Sequence, residues 1–422
     1  MFTMRLVDTP TAHYEHTSTQ LADGSILVTG GYDIESELHA MCSRWFPEHG
    51  GWGPVAALSA PSHRHTATLL NSGHVLVIGI GADVGRAAIY DPDRDAWQPV
   101  AIPEVPRIEH AAARLPDGRV LIAGGRAMDD LAAVEGPDHR EVPVLKSTEI
   151  FDPATASWSD GPPMLNARRK FALLTLQDGS LLAVGGYALA PTGAKKQLKS
   201  AERYDPTTHT WRKAGSTGTH EINLVVLADG RVLGHDGNLY DPTTNSWSLV
   251  EPGFRGGGPM ALLADGRVAC IGLRGDEVFD PETGLWTPAG EARRVLQRGQ
   301  HVHRIADDQL FLVGGSPGRR KGVPLAAIID VDLDPDALLP PEASDEPTGA
   351  DELLKMLLDN DKLELEEGHS LDELVPRVDR ILRYCGTPAG KAQAMSRYLV
   401  DAEPVYDLFM DDRDLRKLLQ QW

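Results

Sequence analysis

Residues 90–97 read YDPDRDAW, and the same phrase returns as FDPATASW at 151–158, YDPTTHTW at 204–211, YDPTTNSW at 240–247 and FDPETGLW at 279–286. Asp-Pro starts a tight turn, because proline presets φ at the second position and the aspartate accepts hydrogen bonds from the backbone beyond it. Tryptophan then follows aspartate at one fixed offset, in Asp91/Trp97, Asp152/Trp158, Asp205/Trp211, Asp241/Trp247 and Asp280/Trp286. A fixed offset places the indole at the same point of the same strand each time, where a large aromatic can fill the wedge between neighbouring sheets. A degenerate copy, WFPEHGGW at 45–52, has Phe46 in place of the aspartate.

Each phrase closes a longer unit. The first halves read HTSTQLADGSILVTGG from His16, HTATLLNSGHVLVIGIG from His65, HAAARLPDGRVLIAGG from His110, FALLTLQDGSLLAVGG from Phe171 and INLVVLADGRVLGHDG from Ile222. Weaker copies, GPMALLADGRVACIG from Gly258 and QHVHRIADDQLFLVGG from Gln300, bring the count to seven. Two short β-rich runs around an Asp-Gly or Ser-Gly turn predict an antiparallel hairpin, so each unit has four strands. The seventh unit ends at AAIIDVDLD without a Trp-bearing strand, while MRLVDTP leads straight into the first unit. The N-terminal segment is therefore expected to complete the seventh sheet and protect its edge.

Four strands per unit, a glycine doublet after the second and a tryptophan in the fourth resemble the Kelch repeat. The resemblance implies a seven-bladed propeller over residues 1–335. After the proline-rich LDPDALLPPEASDEPTG the pattern becomes helical. Ser370-Leu371-Asp372-Glu373 is a capping box, and Leu371, Leu374, Val375, Val378, Ile381 and Leu382 share one face. The expected fold class is an all-β seven-bladed Kelch-type propeller, a linker over 336–347 and a small all-α domain, an acidic helical bundle, over 348–422.

The chain has 422 residues and a formal net charge of −20; residues 341–422 carry 19 acidic and 10 basic side chains. That charge disfavours nucleic acid and anionic membranes as partners. No run of apolar residues is long enough to span a bilayer and the start MFTMRLVDTP lacks a secretory signal, so a cytoplasmic location is expected. Cys42, Cys270 and Cys385 are far apart and suggest neither a disulfide framework nor a zinc site.

In a propeller the loops before the first strand and after the second strand of each unit emerge on one face, around the channel mouth. The candidate ligand-binding residues there are His16, Arg64, His65, Arg107, His110, Arg168, Arg169, His220, Arg255, Arg298 and His301, with Lys170, Arg126 and Lys195 nearby. So many cations on one rim of an acidic chain favour an acidic peptide or protein surface. The expectation is a non-enzymatic scaffold with no cofactor, whose residues 348–422 dock a second partner. The long connections of units three (126–147) and four (187–199) would wall a groove on this face. The alternative is a small-molecule enzyme, sugar-isomerising or oxidising. Resemblance to galactose-oxidase-like propellers would place a copper-binding histidine at His65 beside a tyrosine, but Glu15, Arg64 and Glu109 precede the histidines here.

Overall fold

The computed structural model describes residues 2–9, 15–33, 37–80, 86–127, 143–190, 193–217, 223–250, 258–272, 275–290, 299–315 and 326–332. The helical domain expected over 348–422 and the rim residues His220, Arg255 and Arg298 lie outside them. The fold is a seven-bladed all-β propeller. Each blade is a four-stranded antiparallel sheet, the first comprising Thr17–Gln20, Ile26–Thr29, Cys42–Phe46 and Gly51–Pro54. The innermost strands of the later blades are Thr66–Leu69, Ala111–Arg114, Ala172–Thr175, Leu224–Val226, Met260–Leu262 and His301–Ala306. The outermost strand of blade seven is Phe2–Val7, which pairs antiparallel with Ala326–Val331 from Phe2↔Val331 to Val7↔Ala326. The two ends of the propeller chain thus meet within one sheet.

The interior is a set of wedges, one between each pair of neighbouring blades. Second strands are buried throughout, and successive side chains on a strand point to opposite faces. Leu27 therefore packs with Val75, Val77 and Tyr90 of blade two, while Ile26 and Val28 pack with Phe311, Val313 and Ile328 of blade seven. Burying each such side chain contributes about 1.5–3 kcal/mol. This two-sided demand explains why ILV at 26–28, VLIA at 120–123 and LLAV at 181–184 read as unbroken apolar runs.

The opening phrase is the outer staple of these wedges. Trp97 pairs with Tyr90 across the last two strands, with ring centroids 5.0 Å apart. Its Nε1 donates to the Ala56 carbonyl at 2.8 Å, in the connection leaving blade one. Trp158 does the same to Ala101 (2.6 Å), Trp211 to Pro162 (3.1 Å) and Trp247 to Ala214 (2.6 Å). Each indole ties its blade to the one before it. The glycine doublets have an equally local cause. A Cβ on Gly125, at φ +92°, would stand 2.5 Å from the Ile108 carbonyl, and one on Gly314 would stand 1.9 Å from the His16 ring. Glycine is required where a second strand ends beneath a neighbouring histidine.

Candidate functional site

The expected cationic rim divides into three groups. The histidines form the first, and they lace neighbouring innermost strands together. Nε2 of His65 lies 2.9 Å from Thr29 Oγ1 and 3.1 Å from Thr17 Oγ1, reaching back to blade one. Nε2 of His110 lies 2.8 Å from Thr66 Oγ1 in blade two. Ser18 Oγ sits between His301 Nδ1 (2.9 Å) and His303 Nε2 (2.6 Å), joining blade seven to blade one, and the His16 ring lies 4.8 Å from that of His301. His16, His65 and His110 are buried. Desolvation pushes His65, His110 and His303 down to about 3 and His301 to about 4. These four imidazoles are neutral near pH 7 and add no charge to the rim.

Arg107 and Arg168 form the second group, and both sit inside the wall with no exposed surface. Arg107 is ion-paired with Glu149 and donates from Nη1 to the carbonyls of Gly124 (3.2 Å) and Ser147 (3.0 Å). Arg168 pairs with Glu202 at 2.6 Å and donates to Gly185 (2.9 Å) and Ser200 (3.0 Å). The two carboxylates accept backbone N–H groups of the incoming connections: Glu104 (2.6 Å) and Val105 (3.2 Å) on Glu149, Leu165 (2.7 Å) and Asn166 (2.9 Å) on Glu202. Their place is in the frame of blades three and four, where a ligand has no access to them.

The third group meets over the channel mouth. The residues just ahead of the first four innermost strands are Glu15, Arg64, Glu109 and Lys170, at φ of 53°, 54°, 56° and 48°. Side chains rarely adopt this left-handed conformation, which costs on the order of 1–3 kcal/mol per residue and persists where surrounding structure over-determines it. Here the determinant is a chain of backbone hydrogen bonds. Lys170 N donates to Glu109 O (3.0 Å), Glu109 N to Arg64 O (3.3 Å), and Arg64 N to Glu15 O (3.2 Å).

Their side chains close a ring of alternating charge. Arg64 Nε donates to Glu15 at 2.7 Å and its Nη1 lies 3.4 Å from Glu109. Lys170 Nζ lies 3.4 Å from Glu109 and 3.8 Å from Glu15, so the ring spans blades one to four. Arg169 donates from Nη1 to Glu109. Burial alone would raise the Glu109 carboxyl, but the charges of Lys170, Arg169 and Arg64 hold it below its usual range, so it is ionised. Arg126, buried, lies within the field of Glu109, Arg169 and Arg64, and burial lowers its pKa. Three cations, Arg64, Arg169 and Lys170, thus contact two carboxylates, a formal surplus of one positive charge in the cluster.

Blade four supplies a flank. Its hairpin Tyr187–Leu189 and Lys195–Gln197 is fastened to the cluster by reciprocal backbone bonds between Arg169 and Tyr187, both 2.9 Å. The Tyr187 ring carries Lys195 Nζ at 3.5 Å and the Arg169 guanidinium at 5.8 Å from its centroid. Sequence reasoning placed Arg64, Arg169, Lys170, Arg126 and Lys195 on this face but treated Glu15 and Glu109 only as neighbours of histidines. The signal for their role was positional: Glu, Arg, Glu and Lys alternate at the position before the first strand in units one to four.

The opposite face carries the Asp-Gly and Asp-Pro turns. Five turn aspartates are ion-paired, Asp23 with Arg44 (2.5 Å), Asp117 with Arg119 (2.7 Å), Asp178 with Arg203, Asp229 with Arg231 (2.6 Å) and Asp265 with Arg267 (2.5 Å). On the same face a cleft of about 650 Å³ between blades six and seven is lined by Asp265, Asp307, Asp308, Asp330 and Asp332.

A copper site does not fit at His65. Its Nε2 is engaged by two threonines and the residue before it is Arg64 rather than tyrosine. Among the described residues no three His, Cys, Asp or Glu side chains are grouped to hold a metal ion.

Comparison with known proteins accords with this geometry. The Kelch motif family model matches residues 168–218, blade four with Arg168 and Trp211. An F-box/kelch-repeat protein of Arabidopsis thaliana is 28% identical over 186 residues, covering 41% of this chain and 34% of that protein. The chain thus matches about a third of that relative's length. Among solved structures, a fungal alcohol oxidase of the AA5 family in complex with copper aligns with TM-score 0.59 at 15% identity, covering 81% of this chain and 78% of that one. YjhT aligns with TM-score 0.51 at 14% identity, covering 78% and 98%. At these identities the structural likeness establishes the propeller fold alone.

Proposed function

We propose that this chain is a non-enzymatic, cytoplasmic interaction scaffold that captures an acidic peptide or protein surface at the channel mouth, with residues 348–422 docking a second partner. The fold and the Kelch motif in blade four fit a protein-interaction scaffold in general. The acidic character of the ligand rests on one observation, the positive surplus of Arg64, Arg169 and Lys170 over Glu15 and Glu109. Electrostatic complementarity of this kind steers encounter and suppresses wrong partners.

The test is capture of degenerate acidic nonapeptides by the full chain. Reversing Arg64 and Arg169 to Glu should abolish capture, and raising ionic strength should weaken it in the unchanged protein. Retained capture by the folded double variant would overturn the reading. The small-molecule enzyme is the second reading, and the histidine-lined channel wall around Ser18 is what favours it. Imidazoles held down at about 3 to 4 are weak bases at neutral pH, which ranks it below the scaffold.

A further inference from the structure

We infer that the channel-mouth cluster is a receptor for a phosphomonoester carried on a polypeptide; the inference rests on the acidic-ligand reading and narrows it. Glu109 already occupies the carboxylate-shaped slot in the cluster. Its two oxygens meet Arg169 Nη1 on one side and Arg64 Nη1 and Lys170 Nζ on the other. What the cluster still offers is of a different shape.

Arg169 commits only Nη1, so its Nε and Nη2 have no partner among the described residues. Arg64 commits Nε to Glu15 and directs Nη1 at Glu109, leaving Nη2. Lys170 Nζ stands 3.4 and 3.8 Å from its carboxylates, beyond a good hydrogen bond, and its side chain is 41% exposed. These donors approach from blades two and four, on either side of Glu109. A further carboxylate has one charge and two coplanar oxygens. A phosphomonoester has three terminal oxygens on a tetrahedron, one for each side of the gap, and carries a charge of roughly −1.5 to −2 at neutral pH. The cluster's own surplus of one is joined by Lys195 on the adjoining hairpin, and guanidinium forks are the donors best suited to phosphate.

The flank argues for a polypeptide carrier. Beside the cluster stands a hairpin whose second strand, Lys195–Gln197, is exposed along its length over the buried Tyr187, positioned to take the residues on one side of a phosphorylated side chain. A left-handed backbone held at four consecutive blade connections keeps the donors fixed before the ligand arrives, which lowers the ordering cost of binding.

Three labelled degenerate nonapeptide pools, with serine, aspartate or phosphoserine fixed at the centre among acidic and neutral positions, are titrated against the full chain by fluorescence anisotropy. The phosphoserine pool should bind about tenfold tighter than the aspartate pool. Arg169→Gln and Arg64→Gln should each erase that ratio in protein whose circular dichroism spectrum stays native; Lys213→Gln, on the exposed outermost strand of blade four, should preserve it. Equal binding of the aspartate and phosphoserine pools would overturn the phosphate inference and leave the acidic-peptide reading standing. Failure of every pool would overturn both. Displacement of the phosphoserine pool by equimolar inorganic phosphate would overturn the polypeptide carrier.

Discussion

Replacing Arg168 with methionine separates frame from site. The guanidinium is wholly buried and the Glu202 carboxylate nearly so, at 0% and 1% side-chain exposure, so solvent screens neither. Removing one partner of a buried pair costs about 3–5 kcal/mol because the other charge is stranded. Glu202 would keep three donors, Leu165 N (2.7 Å), Asn166 N (2.9 Å) and Asn166 Nδ2 (2.8 Å), which moves the cost to the lower end. The carbonyls of Gly185 and Ser200 would lose their charged donor, adding about 1 kcal/mol. The expected loss is about 3–4 kcal/mol. In urea titrations followed by tryptophan fluorescence, that lowers the midpoint by about 1 M for a slope near 3 kcal/mol/M. Arg168→Met with Glu202→Gln should recover about 1–2 kcal/mol, since the stranded charge is gone. Capture of acidic peptide by the folded single variant should be unchanged, unlike that of the variant with Arg64 and Arg169 reversed to Glu. A midpoint shift below about 0.3 M, or a double variant no better than the single one, would refute the buried-pair reasoning.

Trp97→Phe removes the Nε1 bond to Ala56 while keeping the ring against Tyr90, and should cost about 0.5–1.5 kcal/mol in urea titrations. Deleting residues 1–7 uncovers the edge of Ala326–Val331 and loses the burial of Phe2, about 2–3 kcal/mol. Light scattering should then show self-association through the bared strand. The buried histidines set an acid limit. His65, His110, His301 and His303 sit below their ordinary value of 6.5, so the stability they confer is complete above about 6.5 and is lost as pH falls towards 4 and 3. The melting temperature should decline between pH 6.5 and 5.5, where ordinary carboxylates hardly titrate, and His110→Gln should flatten that slope.

The repeat was legible because a turn and a tryptophan at fixed spacing are local features, and each copy repeats the same local physics. The site was less so, because its logic runs between blades. Arg107 and Arg168 read as rim cations; each is claimed by a glutamate 42 or 34 residues further on. Glu149 and Glu202 each stand three residues ahead of the Asp-Pro turn, in TEIFDP and AERYDP, and that shared position was the available clue. The histidines beginning the first strands read as a basic ring, but burial against threonine and serine of the adjoining blade removes their charge. The cations that remain are legible as residues; that Glu15, Arg64, Glu109 and Lys170 join across four blades follows from ring closure.

That closure also sets an order of events. Phe2 cannot find its partner Val331 until more than 300 further residues have left the ribosome, about 15–60 s at ordinary elongation rates. Through that interval the first strand, with its apolar Phe2 and Met4, waits without a sheet while six blades can assemble behind it. Synthesis, rather than collapse, then times the last step of folding, and a growing chain carries its unpaired latch in the open.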